Sequence, residues 1–325
     1  MSLRAFVDRH FRHFNAAALR DAALGWVDHL NAGGDMLLTL GGAMSTAELG
    51  ISIADLIRYG AVRAVCCTGA NLEEDVFNLI AHDHYVRIPH YRELTPEQEV
   101  DLLGRKLNRV TDTCIPEDKA ITVLDRLLLP VWQAAEAKGR VDPPHQYLYY
   151  LWRSGALLEH CQIDPKNSWL VAAAEANLPI WTPGWEDSTL GNIFAAHVMK
   201  GSLNSYACVQ SGPAVLTSVV QWYREVSADR PTGFFQIGGG ISGDFPIAVV
   251  PLLRQDLKEN VPLWSYFCQI SEATTSYGSY SGAPPNEKIT WEKLGPKTPR
   301  FVVESDATIC FPIIAQYVLD TILGQ

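Results

Sequence analysis

No run of 18 apolar residues occurs in the 325 residues, so the sequence contains no candidate membrane-spanning helix. The N-terminal stretch MSLRAFVDRHFRHF carries His and Arg where a secretory signal needs an apolar core, and export is not expected. Cysteine is sparse and unpatterned. There are seven, an odd number; Cys66 and Cys67 are adjacent and none forms a CxxC, which argues against a disulfide framework or a zinc site and for a reducing cytoplasm. The nine histidines include no HExxH, and no G-x-S-x-G elbow exists, so metal hydrolysis and a serine triad lack support and no metal is expected. Positive charge is also short: 26 Lys and Arg against 36 Asp and Glu give a net charge of −10, which repels phosphate backbones and attracts cations. Small cationic molecules are the expected partners, with no nucleic acid and no membrane.

What is present alternates short apolar runs with longer helical patterns. This order predicts an α/β fold: a Rossmann-like parallel sheet with helices on both faces, in one domain spanning 1–325. Strands are predicted at 36–40, 61–67, 178–183, 233–237, 263–270 and 300–305. Helices are predicted from Ser45, opened by a Ser45/Glu48 capping box, and near 189–200, 213–228, 244–258 and 309–323. Residues 95–160 read as a helical insertion: Thr95-Pro96-x-Gln98 caps one helix, a second follows CIPEDK, and a third runs over 146–160. The polar stretch 271–293, rich in Gly, Ser and Tyr, has the composition of a functional loop.

Four short segments carry candidate chemistry. GGGISG (238–243) satisfies G-x-G-x-x-G after a strand and before a helix, where Gly239 and Gly240 would let backbone amides approach a pyrophosphate, although glycine turns are common in α/β sheets. TGANLEED (68–75) puts Glu73, Glu74 and Asp75 in a first helical turn, either favouring the helix dipole or facing a crevice at the carboxyl edge of the sheet. In WEDSTLGN (185–192) and ESDAT (304–308), Asp187 and Asp306 suit helix capping and ligand binding alike. Lys293, in TWEK beside Trp291, becomes a Schiff-base nucleophile only if its surroundings favour the neutral amine.

Taken in order from about 36 to 320, TGANLEED, the GGG turn, SGAPPNEKITWEK and ESDATICFP resemble the deoxyhypusine synthase family. The resemblance implies a Rossmann-like NAD-binding domain and a homotetramer with sites between subunits. It makes Lys293 the imine-forming lysine, Trp291 the surface packing the aliphatic part of an amine, and Glu74 and Glu287 carboxylates around that amine. Thr68, Gly69, Glu73, Asp187, Ser279, Ser281, Asp306 and Ala307 match positions lining NAD. The sequence departs from the family at four places: Asn192 and Tyr280 stand for acids, Tyr277 for an NAD-contacting aspartate, and GDFP (243–246) for the two histidines after the GGG turn, with Asp244 the nearest replacement.

Each lost carboxylate–ammonium contact weakens binding by roughly 1.5–3 kcal/mol, which disfavours spermidine. Agmatine or putrescine is expected instead, since a guanidinium can pair with one carboxylate and stack on Tyr277, Tyr280 or Trp291. The expected reaction is NAD-dependent transfer of an aminobutyl or guanidinobutyl group between small amines. Deoxyhypusine synthesis on a protein lysine, a non-catalytic NAD-binding protein and a plain amine dehydrogenase are the alternatives.

Overall fold

The structure, a computed structural model, describes residues 2–275 and 278–324. Six parallel strands form the main sheet: β1 (Asp35–Leu40), β2 (Ala64–Cys67), β6 (Ile180–Trp181), β7 (Thr232–Ile237), β8 (Tyr266–Ile270) and β9 (Arg300–Val303), in the order β6-β2-β1-β7-β8-β9. A second, antiparallel sheet joins β3 (Val86–Arg87), β4 (Leu107–Val110) and β5 (Thr113–Pro116) in the order β3-β5-β4.

Continuous burial along β1, β7 and β8 explains why their sequences are apolar runs. Side chains alternate between two cores. Leu37, Cys66, Phe234 and Phe267 pack on one face, while Leu38, Cys67, Phe235 and Cys268 pack on the other. The first face is covered by Gly212–Asp229 and Ile241–Ile247; the second by Phe14–Asn31, Gly50–Arg58, Trp169–Ala176 and Ala307–Ile322. The expected Rossmann-like α/β fold, with helices on both faces, is the one observed. No described helix is long and apolar enough to cross a membrane.

Three local expectations are corrected. The Ser45/Glu48 capping box does not form: the N–H and hydroxyl of Ser45 go to Asn71, Glu48 turns into the left-handed region (φ 56), and the helix begins at Gly50. The predicted helix over 244–258 is broken into Ile241–Ile247, Val249–Pro251 and a wider turn at Leu252–Asp256, with Pro246 and Pro251 unable to donate backbone hydrogen bonds. The insertion about 95–160 is mixed rather than helical. It holds Pro96–Gly104, with the predicted Thr95/Gln98 box, Thr122–Ala137 and Pro144–Arg153, but also β4 and β5.

Candidate active site

All six parallel strands end at one edge, and the chain reverses direction across the sheet between β1 and β7. Such a switch point leaves a crevice where no crossover helix lies. A cavity of about 920 Å³ fills it, lined by Gly41, Gly42, Gly238, Asp306, Ala307 and Thr308, with Arg87 of β3 and Asp112 in the turn between β4 and β5, which pair at 2.8 Å, also on its wall. Asp306 does both things its sequence context allowed: it accepts the Thr308 N–H at 2.7 Å, capping the last helix, and it lines the cavity. The lip is held by fully buried Asn71, whose amide donates to the carbonyls of Leu40, Gly41 and Gly42. Thr68 closes the same turn by donating to the Gly42 carbonyl at 2.7 Å.

Glu73, Glu74 and Asp75 lie in the second turn of Gly69–Ala81, not the first, and all three are buried, so a helix-dipole role does not account for them. Each carboxylate has a long-range partner. Glu73 accepts the backbone N–H groups of Thr189 and Leu190 at 2.9 and 2.7 Å, satisfying the open end of Thr189–Met199. Glu74 accepts the Thr46 hydroxyl, and Thr46 lines the large cavity. Asp75 accepts from the Ser168 hydroxyl and the Leu170 N–H.

Burial raises the affinity of all three for protons. Glu74, also facing the charge of Glu73, is pushed up to about 7 and Asp75 to about 6, while Glu73 is raised against the pull of its two N–H donors. The cap of Thr189–Met199 is Ser188, which accepts from Gly191; Asp187 is exposed and does not cap it. Gly69 is in close contact with Ser188, and exposed Asn192 donates back to the Ser188 carbonyl at 2.8 Å.

Within GGGISG the close packing falls on Gly239 and Gly243, while Gly240 faces open space. A Cβ on Gly239 would lie 1.9 Å from the Ser281 hydroxyl oxygen, and one on Gly243 2.7 Å from the Gln236 side chain. The Gly240 N–H donates to Ser281 at 3.2 Å, and Ser279 accepts from the Ser281 N–H. Only Gly238 of this turn lines the large cavity; Gly240 lines a second one, of about 440 Å³, with Ile241, Asp244 and Tyr280. Residues of a single turn thus line both cavities.

Lys293 touches two residues that line the second cavity, Asp244 and Tyr280. The residue is 9% exposed, and its ammonium donates to Asp244 at 2.9 Å and lies 5.5 and 5.8 Å from the ring centres of Tyr280 and Trp291. Tyr280 is not a free aromatic face: its hydroxyl donates to Gln236 and its ring is wedged against Lys293 and Lys288. Trp291 is free, being 61% exposed.

Lys288 gave no signal in the sequence, because a lysine in a polar loop looks like any surface charge. It is 2% exposed, its amine has no hydrogen-bond partner among the described residues, and it sits 4.7 and 4.9 Å from the ring centres of Tyr280 and Phe267. Burial, and then the neighbouring charge of Lys293, lowers it to about 8. Glu287, next to it, is exposed. Among the described residues Lys293 makes no hydrogen bond or ion pair with Glu74, Glu287 or Asn192. Tyr277 lies outside the described residues.

A family model described as deoxyhypusine synthase matches residues 9–318. A deoxyhypusine synthase-like protein of Thermosynechococcus vestitus is 28% identical, covering 98% of this chain and 79% of its own length. Another, of Chlorobaculum parvum, is 26% identical, covering 87% and 75%. Among solved structures, an Entamoeba histolytica protein assigned as a deoxyhypusine synthase superposes with TM-score 0.57 at 12% identity, over 98% of this chain and 92% of the other. AgrE, solved with ornithine and NAD+, superposes with TM-score 0.53 at 9% identity, over 96% and 34%. At these identities the structural likenesses speak for the fold.

Proposed function

The chain belongs to the deoxyhypusine synthase family, and we propose that it is an NAD-dependent transferase that moves an aminobutyl or guanidinobutyl group from agmatine or putrescine to a second small amine, with Lys293 as the covalent carrier. The observation that carries this reading is the setting of Lys293: a lysine only 9% exposed, held by the carboxylate of Asp244, which lines a cavity, and 5.8 Å from the ring centre of an exposed indole. A surface lysine has no such enclosure.

The larger cavity fits a dinucleotide. Gly42 and Gly238, both at positive φ, let the backbone approach without side chains, the amide end of Ala307–Ile322 favours phosphate oxygens, and Asp306 offers an acceptor to hydroxyls. NAD bound there supplies hydride acceptance from the carbon bearing the donor's amine, and hydride return to the product.

The chain's own residues do the rest. Lys293, once neutral, forms a bond from its nitrogen to the oxidised carbon, and the bond to the departing amine breaks, releasing ammonia when the donor is agmatine or putrescine. Asp244 takes the proton that Lys293 gives up and is placed to return it to the leaving nitrogen. An acceptor amine then displaces Lys293, which regains its proton. Trp291 covers the aliphatic stem of the carried group and limits access of water to the imine.

Glu74, Glu287 and Asn192 stand apart from Lys293 within one chain, and Trp291 and Ile241 are exposed apolar groups beside it. Both features favour a homotetramer in which a neighbouring subunit completes the amine site. Thr68 and Ser281 adjoin the glycine turns that line the large cavity, whereas Glu73 is held inside its own chain by two backbone N–H groups.

Borohydride trapping tests the reading. The protein is incubated with NAD and, separately, agmatine, putrescine and spermidine, and adducts are mapped by peptide mass. A carbon chain on Lys293 from agmatine or putrescine is the expected result. An adduct from spermidine alone, with labelling of a protein acceptor, would replace it with deoxyhypusine synthesis; no adduct from any amine, despite NAD binding, would leave a non-catalytic protein.

A further inference from the structure

From Ile241 to Leu252 the chain reads ISGDFPIAVVPL, a stretch whose single charge is Asp244. Ile247, Val249 and Val250 are buried in the core on that face of the sheet. Ile241, Phe245, Ala248 and Leu252 recur at three- and four-residue spacing, fall together, and line the second cavity, of about 440 Å³; Leu216 of Gly212–Asp229 lines it from the neighbouring helix. A helical face that the core does not fully cover is ordinarily polar, yet this row has no polar member beside Asp244.

Polar capacity in this cavity is confined to one carboxylate. Among the described lining residues Asp244 is the only charged side chain, and the Tyr280 hydroxyl is already given to Gln236. One oxygen of Asp244 accepts from Lys293 at 2.9 Å; the other has no partner among the described residues, and the side chain is 53% exposed. An ammonium that takes this second oxygen stands beside the Lys293 nitrogen, since both are held by one carboxylate. A dication held in the same way has to lay its far charge against Leu216, Ala248 or Leu252, where nothing replaces its water. The cavity therefore disfavours agmatine and putrescine and suits a molecule with one charge and an apolar remainder, and its volume is in the range of small-molecule sites.

Resting on the reading of Lys293 as the carrier, we propose that the acceptor is a primary monoamine with an apolar body, its nitrogen on Asp244 and its carbon chain along Phe245, Ala248, Leu252 and Leu216. The exchange on Lys293 moves no electrons. The acceptor nitrogen forms a bond to the carbon that Lys293 carries, the bond from that carbon to the Lys293 nitrogen breaks, and one proton passes from the acceptor nitrogen by way of Asp244 to Lys293. The carried group keeps its own cationic end. The reduced product is then a secondary amine with one charged arm and one apolar arm.

Simple amines test this. The whole chain, with NAD present, is titrated calorimetrically with butylamine, pentylamine, hexylamine and 1,6-diaminohexane, as wild type, Leu252→Glu and Leu252→Gln, with thermal unfolding confirming each fold. Wild-type affinity should rise about two- to fourfold per methylene, and 1,6-diaminohexane should bind about tenfold more weakly than hexylamine. Leu252→Glu should reverse that order by supplying an acid along the row, whereas Leu252→Gln should weaken hexylamine without any gain for the diamine. With agmatine or putrescine as donor, hexylamine should give a hexyl-bearing secondary amine by mass. Four results would each overturn the proposal while donor adducts on Lys293 still form: affinities flat with chain length, a diamine that matches hexylamine in the wild type, a donor adduct that hexylamine does not discharge, or no alkylamine binding because a second copy of the chain covers the row. Absence of any donor adduct on Lys293 would overturn the carrier reading and the acceptor role with it.

Discussion

Replacing Glu74 by Gln removes the pH response of one buried group. Glu74 is 6% exposed, accepts the Thr46 hydroxyl, and is pushed from its ordinary 4.5 up to about 7, first by burial. An acid whose proton affinity rises on folding stabilises the fold fully below its unfolded pKa, and that contribution is lost as pH rises through its folded pKa. The window is therefore about 4.5 to 7, and stability falls with rising pH across it. Between pH 5 and pH 8 the loss amounts to about 2.5 kcal/mol. Glutamine keeps an acceptor for Thr46 and never ionises, so Glu74→Gln should be about 2–3 kcal/mol more stable than wild type at pH 8 and within about 1 kcal/mol of it at pH 5. Urea unfolding of the two proteins at pH 5, 6.5 and 8 measures this. Other titrating groups, Glu73 and Asp75 among them, are common to both proteins and largely cancel. A difference that stays constant with pH would refute the argument, because it would mean that Glu74 carries the same charge folded and unfolded.

The same carboxylate bears on ligand binding: if a cationic amine draws on Glu74, wild-type affinity should fall about tenfold from pH 8 to pH 6 and be nearly flat in Glu74→Gln, as read by titration calorimetry. Lys293→Ala should abolish borohydride adducts and transfer while leaving NAD binding within about twofold, and retained transfer would remove Lys293 from the mechanism. Asn71→Asp should destabilise more than Asn71→Ala, by several kcal/mol against about 3, since a carboxylate oxygen would face the carbonyls of Leu40, Gly41 and Gly42; thermal unfolding decides the order. Gly239→Ala should cost about 1–3 kcal/mol by collision with Ser281, and Ser281→Gly in the same chain should recover most of it; an additive double mutant would refute the packing role of that glycine.

Much of the architecture was legible because it rests on local pattern. Apolar runs bounded by turns located all six strands of the main sheet, and Thr95-Pro96-x-Gln98 announced its helix, since a capping box is closed by neighbours three residues apart. The Ser45/Glu48 box has the same spacing and failed, because Asn71, 26 residues away, takes the Ser45 N–H and hydroxyl. β4 and β5 were missed because short, half-exposed strands stabilised by pairing to each other carry little periodicity. Family likeness picked out Lys293, Trp291 and Asp306, and it offered Asp244 as a replacement for histidine without a way to place it.

The sequence by itself determined what depends on neighbours in the chain: an alternating α/β order, strands buried on both faces, an acidic surface suited to cations, and the family. Tertiary structure decided what depends on distant partners. It put Glu73 on the end of a helix 116 residues further on, packed Gly239 against Ser281 and joined the Gly240 N–H to the Ser281 hydroxyl, and brought Asp244 to Lys293 from 49 residues away. It also buried Lys288 without a hydrogen-bond partner among the described residues, which no spacing rule foretells, because the charge state of a lysine is set by what folds around it.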